Sequence, residues 1–189
     1  IWLISRRRYS FRETWIACYL GYATHGILDA CTSYGTHLLW PFAVDRISWN
    51  LVSIIDPLFS LPLLVLTICG VWRRQIWFPR AAAMFCVCYL LFAFTQHRQA
   101  ETAQYELINR RDHNATRHII KPSIGNVFLH RSVYLHEGVY YVDAIHVIPG
   151  LSSKIYAGGE VEAFEIKSAY PQLKDNTRQA KDVSRFSRL

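Results

Sequence analysis

No cysteine lies beyond Cys88 and no tryptophan beyond Trp77. The second half of this chain of 189 residues therefore holds its shape without disulfides, and cysteine usage says little about its compartment. All five cysteines (Cys18, Cys31, Cys69, Cys86 and Cys88) sit in the first half. Cys86 and Cys88 are two apart on a predicted helix, so they face nearly opposite directions and do not chelate together. Buried cysteine acts mostly as a small hydrophobe. The chain also lacks an initiator methionine: it opens on Ile1-Trp-Leu-Ile and ends on Ser184-Arg-Phe-Ser-Arg-Leu189. Both ends read as cut, and the expectation is a fragment whose missing N-terminal part carries some of the chemistry.

What is present divides in two. A mean hydropathy of only +0.08 hides two unlike halves. Up to about Gln96, Leu, Ile, Val, Phe, Trp and Cys dominate; beyond it, charged and polar residues are spread evenly. The expected organisation is a membrane-embedded helical domain over 1–96 and a soluble α+β domain over 97–189. The fold class expected is a mainly α-helical integral membrane protein of about three spans, followed by a small domain with a β-hairpin.

The candidate spans are Trp15–Cys31, Leu51–Trp72 and Ala81–Thr95, the last being short for ~30 Å of hydrocarbon. Asp56-Pro57 is a good helix start, with Asp at the N-cap and Pro at N1, so the second helix is expected to begin at Pro57. Arg6, Arg7, Arg8 and Arg12 precede the first span, and Arg73, Arg74 and Arg80 join the second to the third. The loop between the first two spans has only Asp45 and Arg46. By the positive-inside rule the basic segments face the cytoplasm and the C-terminal half the opposite side, the periplasm in a bacterium. Trp40, Trp49, Trp72 and Trp77 mark predicted span ends as an aromatic belt. The net charge of +7 follows largely from these arginines and does not argue for nucleic acid.

The first candidate span carries His25 and Asp29, one helical turn apart and so on one face. An ionisable residue at membrane depth is expensive to desolvate and marks a site by default. The pair offers one nitrogen and one hard oxygen ligand on a rigid element, half of a metal site. Plainer readings stand beside it: His25 satisfied by Thr24 or Thr32, the two residues paired only with each other, and Asp56 serving as a helix cap. His37 is a weaker ligand candidate in a loop.

Beyond the third span, Ala100, Ala103 and Leu107 are spaced helically, so the helix is expected to continue to about Asn114. Lys121-Pro-Ser-Ile-Gly125 reads as a turn. The runs 126–135 and 139–148 flank His136-Glu-Gly138 and predict a hairpin. Val161–Ile166 predicts a further strand, and the chain from Gln172 onward a polar segment, helical near Asp182. Six histidines fall between His97 and His146. His130 and His146 occupy opposite arms of the hairpin, but no close-spaced ligand pair exists, and exposed strand histidines are the better reading.

The string Gly21-Tyr-Ala-Thr-His25-Gly-Ile-Leu-Asp29-Ala-Cys-Thr-Ser-Tyr-Gly-Thr-His-Leu-Leu-Trp-Pro-Phe42, followed by Ser53-Ile-Ile-Asp56-Pro57-Leu-Phe, resembles the YdjM-type family of bacterial inner-membrane metal-dependent hydrolases. Lys121-Pro-Ser-Ile-Gly-Asn126-Val-Phe-Leu-His-Arg131, Tyr140-Tyr141 and Asp182-Val-Ser-Arg185-Phe186 extend the likeness over nearly the whole chain. The resemblance implies a membrane-embedded helical hydrolase related in pattern to zinc-dependent phospholipase C and nuclease P1 proteins, where a His-x-x-x-Asp pair ligates a metal cluster. His25 and Asp29 match that pair. An earlier acidic motif and an Arg-x-x-Thr-His type motif of the family are not in this fragment. His130 stands where the family carries an aromatic residue, and His37 where it often carries an amide, so neither is implied as a required ligand. The expected site is then a divalent metal, zinc by type, held by His25, Asp29, Asp56 and upstream ligands, with metal-activated water as nucleophile. Asp56 is the candidate general base, or an orienter of His25. The expected substrate is an ester or phosphoester reached from the bilayer, such as a phospholipid. The rival expectation is a non-catalytic membrane anchor that binds a partner; the family has been described as binding the LexA repressor.

Overall fold

The computed structural model describes residues 9–164, 177–179 and 181–182. Its elements are α1 (Phe11–Cys31), α2 (Pro57–Arg73), α3 (Trp77–Arg110), β1 (Arg117–Pro122), β2 (Leu129–His136), β3 (Val139–His146) and β4 (Lys154–Glu162). The arginines at positions 6 to 8, the strand expected at 165 and 166, and Arg185-Phe186 lie outside the described residues. Residues 178, 179, 181 and 182 are helical, as expected near Asp182.

Helix α1 starts at a capping box. Ser10 Oγ accepts from the Glu13 N–H at 3.3 Å, and the Glu13 carboxylate accepts from the Ser10 N–H at 2.8 Å. Helix α2 starts at Pro57, where the Asp-Pro pair placed it. Its partner is α3, reached through Arg74 in the left-handed region. Phe59 of α2 packs on Phe85 and Tyr89 of α3, ring centres 6.4 and 5.2 Å apart.

The expectation of about three spans is overturned. Among the described residues only α3 is long and apolar enough to cross a membrane, with mean hydropathy 1.6 over its best 18-residue stretch. Helix α1 has the length but not the apolarity, because Tyr, Gly and Thr residues together with His25 and Asp29 dilute its Leu and Ile. Helix α2 is apolar but stops after 17 residues. The segment expected to be the shortest span is thus the strongest one, since the 34-residue α3 runs unbroken from Trp77 through Gln96 to Arg110.

Burial divides α3 along its length. Its buried positions are Ala93, Gln96, His97, Ala100, Ala103, Gln104, Leu107 and Ile108, all from the middle of the helix onward and recurring every three or four residues along one face. That stripe lies on a four-stranded antiparallel meander of order β1-β2-β3-β4. Ala100 and Ala103 let the helix approach closely, and they pack on Ile120, Ile145 and Val147. Each large aliphatic side chain so buried stabilises by ~2 kcal/mol. A second cluster of Cys31, Val52, Ala93 and Val127 joins the end of α1, the following loop, α3 and the approach to β2.

The hairpin forms as predicted, in the register Val133↔Val142 with His136↔Val139 closing it. Its turn residues Glu137 and Gly138 both have positive φ, 47° and 78°, as a two-residue turn matched to strand twist requires. Two local expectations change. Residues 117–122 are a strand paired with β2, so Lys121 and Pro122 end β1 and the turn begins at Ser123. The last strand starts at Lys154 rather than Val161. The turn after β1 is tied back to the helical part, because the Gly125 N–H donates to the Ile55 carbonyl (2.9 Å) and lies 3.3 Å from Ser53 Oγ.

Candidate functional site

The last two turns of α1 bring His25 and Asp29 together, with Nε2 3.5 Å from Oδ2. Neither is buried: 71% of the His25 and 46% of the Asp29 side chain is free of protein contact, so an incoming group can reach both. Thr24 and Thr32 do not satisfy His25. Their hydroxyls donate to backbone carbonyls of Leu20 and Asp29, at 2.8 Å each.

Asp56 is placed differently. It is buried at 3% exposure and caps α2, its Oδ1 accepting from the N–H groups of Leu58 (3.1 Å) and Phe59 (3.3 Å). Its Oδ2 accepts from the Tyr89 hydroxyl at 2.5 Å. Both carboxylate oxygens are therefore engaged. Among the described residues no group of three or more His, Cys, Asp or Glu is arranged to hold a metal ion. An imidazole and a carboxylate suit a zinc-type ion, but such an ion takes four ligands and this pair supplies two. His37 lies exposed in the loop after α1. His130 and His146 take opposite faces of the sheet, since His130 pairs with Ile145 and His146 with Leu129. The five cysteines are free thiols.

Sequence reasoning missed a polar cluster where α3 ends on the sheet. Arg111 donates to both oxygens of Asp143, at 2.7 and 2.9 Å, and to the Tyr134 hydroxyl at 2.7 Å. His113 Nδ1 lies 3.0 Å from the same hydroxyl. The Tyr134 and Tyr141 rings stack at 5.1 Å, and those of His113 and His136 at 4.3 Å. Burial raises the Tyr134 pKa above its ordinary value, with Arg111 opposing the shift. Burial, then the neighbouring His136 and Arg111, lowers that of His113. Asp143 sits in a β-bulge and also accepts from the Gly158 N–H at 3.2 Å. A lone carboxylate between Val142 and Ala144 was the available signal, because a buried charge demands a partner.

Compared with known proteins, residues 1–100 match a family model described as YdjM inner membrane protein. That stretch covers α1, α2 and α3 as far as Ala100, and leaves the sheet outside. No curated protein and no solved structure matches the chain.

Proposed function

Since the chain belongs to the YdjM inner membrane protein family, we propose that it is an inner-membrane hydrolase whose metal-binding pair is His25 and Asp29. The observation that carries this reading is the open His–Asp pair, 3.5 Å apart on one face of α1. A nitrogen and an oxygen donor held by one helical turn are pre-positioned, so little side-chain freedom is lost when both engage one ion. The remaining ligand positions lie beyond this pair. A bound divalent ion of zinc type would lower the pKa of its water toward neutrality. Asp29 contributes charge that favours the cation, and His25 a neutral donor. Asp56 has no part in this reading, because Leu58, Phe59 and Tyr89 already hold its oxygens.

The substrate class proposed is an ester or phosphoester presented by lipid. Trp15, Tyr19, Leu20, Tyr22 and Ile27 are exposed on the same helix and suit an apolar neighbourhood. The sheet is proposed to lie on the periplasmic side.

The test is elemental analysis of the full chain purified in detergent, beside its His25→Ala/Asp29→Ala variant, with phosphoester hydrolysis read on both. About one metal per chain and hydrolysis in the first, with both lost in the second, is the expected result. A folded protein without metal in either form, or hydrolysis that survives the double variant, would overturn the reading. The family would then be represented here by a non-catalytic anchor in which His25 and Asp29 satisfy only each other.

A further inference from the structure

A second group of chemistry-bearing side chains lies where α3 meets the sheet, away from α1. His97 on α3 and His130 on β2 have ring centres 6.2 Å apart. His130 is fully buried and His97 is 8% exposed. Both ring nitrogens of His130 and Nδ1 of His97 are buried without a hydrogen-bond partner, and so is Nε2 of the neighbouring Gln96. Each such group costs about 1–3 kcal/mol when nothing meets it. Three unmet imidazole nitrogens in one place point to a missing occupant.

The chemistry of the nitrogens says which kind. Glu101 stands one turn after His97, its Oε1 3.5 Å from His97 Nε2. A carboxylate there favours the proton on Nε2, in competition with the Asn50 backbone carbonyl that also acts on the ring. A proton so held turns the lone pair of Nδ1 toward a metal, the arrangement that orients metal-binding histidines. Burial and the neighbouring His97 push the His130 pKa down to about 4, with the Phe128 carbonyl opposing, so its ring is neutral near pH 7 and offers a lone pair as well. Two imidazoles that share one ion tetrahedrally at 2.0–2.1 Å bring their ring centres to about 5 Å, so the observed 6.2 Å is about 1 Å from that separation.

We propose that His97 and His130 form a two-imidazole site for a divalent transition metal ion of the zinc or copper kind, with Glu101 as the residue that positions His97. Water completes the coordination, and entry is along Glu101, whose side chain is 31% exposed. The site is independent of His25 and Asp29. It would fasten α3 to β2 near the point where the helix passes from its exposed apolar half to its buried half.

The test uses the full chain in detergent, carrying His25→Ala/Asp29→Ala so that the first pair cannot contribute, stripped by chelator and titrated with Cu²⁺. Pulsed electron paramagnetic resonance counts the coordinated imidazoles. One copper per chain with two imidazoles is expected. His130→Phe should leave one imidazole, and Glu101→Gln should keep two while weakening binding about 10- to 100-fold. His130→Phe replaces an unmet polar ring by an apolar one of similar shape, so without metal it should melt at or above the parent temperature, which shows that its loss of copper is not misfolding. No stoichiometric copper, or a titration that His130→Phe leaves unchanged because surface histidines hold the ion, overturns the proposal. Neither result bears on the pair in α1.

Discussion

His130 illustrates how one buried side chain sets a pH dependence. Its folded pKa of about 4 lies below the ordinary histidine value of 6.5, because burial and the nearby His97 disfavour the imidazolium. Between those values the unfolded chain binds a proton that the folded chain does not. The stability associated with the neutral ring is complete above pH 6.5 and is lost as pH falls toward 4. The amount at stake is on the order of 3 kcal/mol. Chelator-treated protein should therefore melt several degrees lower at pH 5 than at pH 7, and His130→Phe should shrink that difference. An undiminished difference in the variant would assign the effect to other groups, His113 first, whose pKa burial also lowers. Arg111 offers a second test at this scale. Asp143 is 4% exposed, and Arg111 is its ionic partner. Arg111→Ala leaves that carboxylate buried and unpaired, which should cost about 3 kcal/mol, read as a drop in melting temperature. Arg111→Lys should recover only part, because an ammonium cannot span both Asp143 oxygens and the Tyr134 hydroxyl as a guanidinium does.

At the scale of elements, the start of α2 depends on one carboxylate with two duties. Asp56→Ala should lose a cap worth about 1–2 kcal/mol, and Tyr89→Phe a hydrogen bond worth about 1 kcal/mol. Because Tyr89 donates to Asp56 itself, the two losses should not add, and a double-mutant cycle of thermal unfolding in detergent should return a coupling of at least ~0.5 kcal/mol. A coupling of zero would mean that the hydroxyl and carboxylate do not meet. The Asp-Pro start was legible in the sequence because a helix cap is local, and the Glu137-Gly138 hairpin was legible for the same reason. Strand β1 was not: Arg117-His-Ile-Ile-Lys-Pro122 is short and ends in a proline that an edge strand tolerates and a central one does not. The continuation of α3 past Gln96 was legible, because Ala100, Ala103 and Leu107 keep the helical spacing; the helix stops at Arg110, somewhat before the expected Asn114. The His25–Asp29 juxtaposition follows from helical spacing alone and was read in advance. The Arg111–Asp143 pair joins residues 32 apart through the docking of a helix end on a strand, which no local pattern records. The same holds for His97 and His130.

For the molecule as a whole, α3 is shared by two surroundings. Its first half is apolar and exposed, and its second half lies on the sheet. Twenty residues of helix from Trp77 rise ~30 Å, the thickness of the hydrocarbon, and end near Gln96 and His97, where burial against protein takes over. At the N-terminal end of α3 stand Arg73, Arg74 and Arg80, without a carboxylate partner among the ion pairs of the described residues. At the other end Arg98 faces Glu101, Arg110 faces Glu106 and Arg111 faces Asp143. Free positive charge is thus concentrated at one end, and the orientation proposed above, with that end in the cytoplasm and the sheet in the periplasm, is the one the positive-inside rule favours. A phosphatase reporter fused after Leu189 should be active and a fluorescent reporter at the same point dark. Replacing Arg73, Arg74 and Arg80 by Gln should weaken that bias and raise the fluorescent fraction. A bright fluorescent fusion on the unaltered chain would instead place the sheet, with its Arg111–Asp143 clamp and the His97–His130 pair, on the cytoplasmic side. The ions available to that pair would then be those of the cytoplasm.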